Sequence, residues 1–164
     1  MSELADLLER FRRGGELLAV ATTGAAGLEL DFKPAPDKWC VRQVVCHLAD
    51  SEAVNVMRLR QVLAEDNPVL QAFNGDAWGD RLDYGKRKIS QALETFRKLR
   101  TENYDLLKGT PEEAFTRTGT HTEEGVKTLH QLVLGSAEHV EQHVKEIQEV
   151  RAAYRESRTR QAVG

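Results

Sequence analysis

The amino-acid sequence predicts an all-α protein built as a four-helix bundle. Apolar residues recur every three or four positions in four long segments, no stretch alternates with a strand-like period of two over a convincing length, and all four prolines fall between those segments. Four amphipathic helices of that size have one efficient way to bury their apolar stripes, which is against one another in a bundle.

The first helix is expected over residues 3–22, with Leu4, Leu7, Leu8, Phe11, Leu17, Leu18 and Val20 as its apolar positions. Gly14 and Gly15 weaken its middle by up to about 1 kcal/mol each, so a bend is expected there. The stretch TTGAAGLELDFKPAPDKWC reads as a loop, broken by Gly24, Gly27, Pro34 and Pro36. The second helix spans 38–65, with Asp37 as N-cap and a stripe of Val41, Val44, Val45, Leu48, Leu59 and Val62; Asn67-Pro68 ends it. A loop carrying Phe73, Asn74-Gly75, Trp78 and Gly79 precedes a third helix over 84–108, marked by Tyr84, Ile89, Leu93, Phe96, Leu99, Tyr104 and Leu107 and stopped by Gly109 and Pro111. After the polar linker RTGTHTEEG, a fourth helix over 123–156 carries Val126, Leu129, Val133, Val140, Val144, Ile147, Val150 and Tyr154, and residues 157–164 read as a frayed tail. The 164 residues suit one domain, 1–164, and show no internal repeat. Periodicity gives no order of packing around the bundle.

Charge narrows the function. The 23 Lys and Arg and 26 Asp and Glu give a net charge of -3 and are intermixed along the chain, so no basic face is offered to nucleic acid or to an anionic membrane. No run approaches the roughly 20 apolar residues of a membrane span, and the start MSELADLLERFRRGG lacks the apolar centre of a secretory signal. A cytoplasmic protein is expected. Cys40 and Cys46 would lie about 9 Å apart within one helix, too far for a disulfide, and read as small packing residues.

The segment AEHVEQHVKEI places His139 and His143 four residues apart, so both project from adjacent turns of one helix face. At about 100° per residue they border the stripe of Val133, Val140, Val144 and Ile147, where a side chain faces a neighbouring helix rather than solvent. A single metal ion could touch both, and a third ligand is then required. His130 lies 2.5 turns from His139 and faces away, which assigns it to the surface or the core.

The second informative segment is KWCVRQVVCHLADSE, residues 38–52. His47 stands at the edge of the second helix's stripe beside a polar line of Ser51, Asn55 and Arg58 that a packed apolar helix does not require. Trp39, the Val and Gln positions after it, His47-Leu48, Asp50 and Glu52, followed about ninety residues later by His-x3-His, resemble the DinB/YfiT-like superfamily, regarded as metalloenzymes. The resemblance covers essentially the whole chain. Cys40 stands where that pattern commonly has a serine, and Gln43 where it commonly has a glutamate, which touches the capping of the second helix and not the histidines.

The resemblance implies a four-helix bundle in which His47, His139 and His143 hold a divalent metal, zinc or nickel before iron. Three neutral imidazoles with one open position form the arrangement of a catalytic site, because the vacancy accepts water or substrate and the metal lowers its pKa. It further implies transfer chemistry on a small-molecule substrate with a low-molecular-weight thiol, with no protein nucleophile. A metal-dependent hydrolase is the alternative, and a non-enzymatic, stress-related metal-binding dimer is the competitor from another class. A homodimer is expected. Asp50, Glu52 and Glu138 are candidates to hold a free imidazole N–H, His121 is placed near the site opening, and Trp39, Phe73 and Trp78 are expected as core or pocket wall.

Overall fold

The structure, a computed structural model, describes residues 2–164. Four long helices dominate: α1 (Glu3–Thr22), α2 (Val41–Ala64), α4 (Ile89–Lys108) and α5 (Leu129–Val163), with the short α3 (Gly75–Arg81) between α2 and α4. α1 packs against α4 and α5, and α2 packs against the same two, so the order around the bundle is α1, α4, α2, α5 and the first connection crosses its diagonal.

Burial along each helix gives the directions. Two apolar clusters occupy the two ends of the bundle, one built on Val44, Leu48, Phe96, Val140 and Ile147, the other on Phe11, Leu59, Leu107, Leu129 and Val133. α1 and α5 enter the second cluster first, whereas α2 and α4 enter the first, so α1 runs parallel to α5 and antiparallel to α2 and α4.

Between the clusters each of the four long helices contributes to one polar layer. Glu52 on α2 and Arg100 on α4, both almost fully buried, form a two-pronged ion pair at 2.5 and 3.1 Å. Arg100 also donates to the Phe11 carbonyl at 2.8 Å and to Ser136 Oγ at 3.0 Å. Asn55 and Asn103 donate to the Glu52 carboxylate. A buried charge is tolerated only when its partners satisfy it this completely.

Several sequence expectations shift. α1 is continuous through Gly14-Gly15; Gly14 is buried in the polar layer, where it makes room for Arg100 instead of bending the helix. α2 begins at Val41, with Cys40 as N-cap in place of Asp37, and the Gln43 side chain accepts from the Cys40 N–H at 2.9 Å. The third helix begins at Ile89 rather than 84, because Asp83 adopts a left-handed φ of 55° and residues 84–86 form a separate 3-10 turn. Tyr84 is nonetheless fully buried core. Val20 is exposed.

The linker before the fourth helix holds strands. β2 (Thr118–His121) and β3 (Gly125–Thr128) form an antiparallel hairpin, and β1 (Val69–Leu70) adds to β2 in parallel. Gly119 is needed there, since a Cβ would lie 2.8 Å from Leu70 and 3.1 Å from Val62. α5 consequently starts at Leu129, capped by Thr128 and Gln131, rather than at 123. It runs on to Val163 because no Gly or Pro interrupts SRTRQAV, and its last turns are exposed. No helix among the described residues is long and apolar enough to cross a membrane.

Candidate metal centre

His47 comes from the second turn of α2, and His139 and His143 from the middle of α5, where the two helices run antiparallel at the level of the first apolar cluster. The three rings converge. His139 Nε2 lies 3.0 Å from His47 Nε2 and 3.1 Å from His143 Nε2, and each residue's donor atom is within 4.8 Å of the others. Among the described residues this trio is the one group of three such side chains placed to share a cation.

Second contacts orient the rings. His143 Nδ1 lies 2.7 Å from the Glu146 carboxylate, which accepts its proton and leaves Nε2 with a lone pair. The sequence reading missed Glu146, although its spacing three residues after His143 on a helix is readable. Trp39 packs against the His47 ring with centroids 5.1 Å apart. The His47 Nδ1 is buried with no acceptor, and α3 closes over that ring edge at Gly75.

The candidates for holding an imidazole N–H have other occupations. Asp50 accepts from Tyr84 Oη at 2.7 Å and pairs with Arg87 at 2.9 Å. Glu52 belongs to the buried pair with Arg100, and Glu138 is exposed. His130 is half-buried beside Glu3 and Phe115, away from the cluster. His121 ends β2, where its Nδ1 accepts from the backbone N–H groups of Glu123 and Glu124 at 3.2 and 3.1 Å and so shapes the hairpin turn. Phe73 and Trp78 pack with tilted rings, centroids 4.6 Å apart, in the wall of a cavity beside α2, as expected. Cys40 and Cys46 are buried free thiols, their pKa values pushed up by burial.

Electrostatics keep the cluster ready for a cation. Burial first, and the neighbouring His143 second, bring the His47 pKa down to about 4. His139 falls to about 3, again through burial first and then through His143, His47 and Arg100. Both are therefore neutral near pH 7, and their lone pairs are not spent on protons.

The donor set fits a divalent metal ion. A tetrahedral centre with metal–nitrogen bonds of about 2.0–2.1 Å needs ligand nitrogens about 3.3 Å apart; the two separations from His139, 3.0 and 3.1 Å, lie a few tenths of an ångström inside that value, and the His47–His143 pair lies within 4.8 Å. A cleft of about 470 Å³ walled by Trp39, Asn74 and Asp76 opens onto His47 and His143. A second cavity, of about 280 Å³ between α2, α5 and the hairpin, opens onto His139. The cluster is thus reached from two sides.

The chain is similar to proteins of bacilli. It is 28% identical over 132 residues to a provisionally named metal-dependent hydrolase of Halalkalibacterium halodurans, covering 80% of this chain and 77% of that one. With a protein of the same provisional name from Oceanobacillus iheyensis it shares 29% identity over 119 residues, 73% of this chain and 69% of the other. The solved structure of YfiT from Bacillus subtilis, described as an unusual four-helix bundle topology, superposes with a TM-score of 0.84 at 24% identity over 92% of this chain and 87% of YfiT. Residues 10–147, which include α2 and α4 whole, parts of α1 and α5 and the three histidines, match the family model of the DinB superfamily, and the chain belongs to that superfamily.

Proposed function

We propose that His47, His139 and His143 hold one divalent cation, zinc or nickel before iron, and that the protein is a metal-dependent enzyme transferring a low-molecular-weight thiol to an electrophilic small molecule. The observation that carries the metal is the convergence of three Nε2 atoms from two helices on one point. When bound, such a cation supplies an open coordination position at which a thiol or a water loses its proton near neutral pH.

Glu146, Asp50 and Glu52 are each engaged with a partner, and Asp37 and Asp76, the other carboxylates lining the cleft, are exposed, so none of the five is both buried at the rings and unpaired as a base for water. A thiol needs less help, since its pKa is already near 8.5. Glu146 holds the His143 ring in register, Trp39 walls the approach to His47, and the apolar cluster beneath the rings excludes water from their inner side.

Hydrolysis is the second reading, supported by the provisional names of the relatives. The two separate in one experiment. A panel of thiols is offered with an electrophilic aryl halide, with an ester offered in parallel. Thiol-dependent consumption of the halide, lost in His143→Ala, is the expected result. Ester turnover without any thiol, also lost in that variant, establishes the hydrolase.

A further inference from the structure

The polar line on α2 is not accounted for by the metal centre. Ser51, Asn55 and Arg58 follow His47 at 4, 8 and 11 residues, on one helix face, so the line climbs about 16 Å from His47 to Arg58. It forms one wall of the 280 Å³ cavity, whose opposite wall on α5 includes Ser136 and, at the other end, His139.

This lane holds donors without acceptors. Ser51 is nine-tenths buried, and its Oγ has no partner. The Arg58 Nε is buried and has none either. The other hydrogen-bonding contacts of Arg58 are through Nη2, to the Gln71 carbonyl at 2.8 Å and to His121 Nε2 at 3.5 Å. The latter is no bond: His121 Nδ1 accepts from two backbone N–H groups, so its proton sits on Nε2 and faces the guanidinium donor against donor. A half-buried cation in this setting lacks the anion that would satisfy it.

The charge count selects the anion. Three charged residues line the lane, Arg58, Lys127 and Glu124, and Lys127 already lies 3.5 Å from Glu124. One positive charge remains, which suits a monoanion, and the flat guanidinium fork suits a carboxylate better than a dianionic phosphate.

We infer that this lane binds the carboxylate end of a small organic substrate, with Arg58 taking the carboxylate, Ser51 and Asn55 contacting a polar midsection, and the opposite end delivered to His139. That the delivered end reacts there rests on the metal-dependent reading above; that Arg58 takes a carboxylate does not.

The test uses full-length, metal-free protein. Hippurate and its uncharged counterpart hippuramide are titrated by calorimetry while the Arg58 Nε–H and His139 ring resonances are followed by NMR. Hippurate is expected to bind about tenfold more tightly than hippuramide, the worth of one charge-assisted hydrogen bond, and to move both sets of resonances. Arg58→Gln is expected to erase that preference, Arg58→Lys to lose part of it, and Ser51→Ala to weaken hippurate about threefold, with helical circular dichroism unchanged in all three. Equal binding of the two ligands, a preference that survives Arg58→Gln, inorganic phosphate binding more tightly than hippurate, or an Arg58 response with His139 unmoved would each overturn the inference. With no metal in the sample, none of these outcomes depends on whether the histidines hold one.

Discussion

Gly14 and Arg100 occupy space that a single added carbon would contest: a Cβ on Gly14 would lie 2.7 Å from Arg100 Nη1 and 3.3 Å from Val140. Helix propensity alone favours Gly14→Ala by about 1 kcal/mol. The guanidinium cannot step aside, because it is held by Glu52, Ser136 and the Phe11 carbonyl and lies 4.0 Å over the Phe11 ring. The substitution is therefore expected to destabilise the fold by about 1–3 kcal/mol in urea unfolding. A gain in stability would show that the polar layer is loose.

The ion pair in that layer has an asymmetric energetic role. Arg100→Met leaves the Glu52 carboxylate buried with only the Asn55 and Asn103 amides, an expected loss of about 3–5 kcal/mol. Adding Glu52→Leu to Arg100→Met removes the stranded charge and is expected to recover part of that loss. A double variant whose destabilisation is the plain sum of the two singles would argue against direct coupling.

Glu146 bears on the histidine cluster without belonging to it. Its carboxylate accepts from His143 Nδ1, so Glu146→Ala is expected to weaken metal binding by about 10–100-fold with the helical content unchanged. Zinc titration against a chromogenic chelator reads this directly, and unchanged affinity would mean that the contact does not orient the ring.

Acid should unsettle the metal-free protein through the same cluster. The unfolded chain takes up protons on His47 and His139 near their ordinary 6.5, which the folded chain refuses until about 4 and 3. The unfolded state thus binds more protons in that window, and stability falls as the pH drops from about 6.5 towards 4. Chemical denaturation at stepped pH is expected to show a shallower fall in His139→Gln than in the parent; identical slopes would mean that the rings are not desolvated.

Much of this was legible in the residues. The stripes on α1, α2, α4 and α5 supply the core, apart from the exposed Val20 and Val126, and the border position of His139 and His143 is where the rings meet His47. The hairpin was hidden because each strand has only four residues, too few for a period to register, and its fit depends on Gly119 meeting Leu70. The diagonal first connection was not legible either, since a stripe states that a helix is buried and not against which neighbour. The same limit concealed the polar layer: Glu52 and Arg100 each look solvated in their own helix and become partners only when α2 meets α4.

The most direct measurement is zinc titration of untagged, metal-free, full-length protein by calorimetry, beside His47→Ala and His139→Ala. One zinc per chain is expected for the parent, with affinity lowered by about two orders of magnitude in each variant and helical content preserved. Zinc bound equally well by the parent and both variants, or not bound by the parent at all, would contradict a centre built on these three histidines.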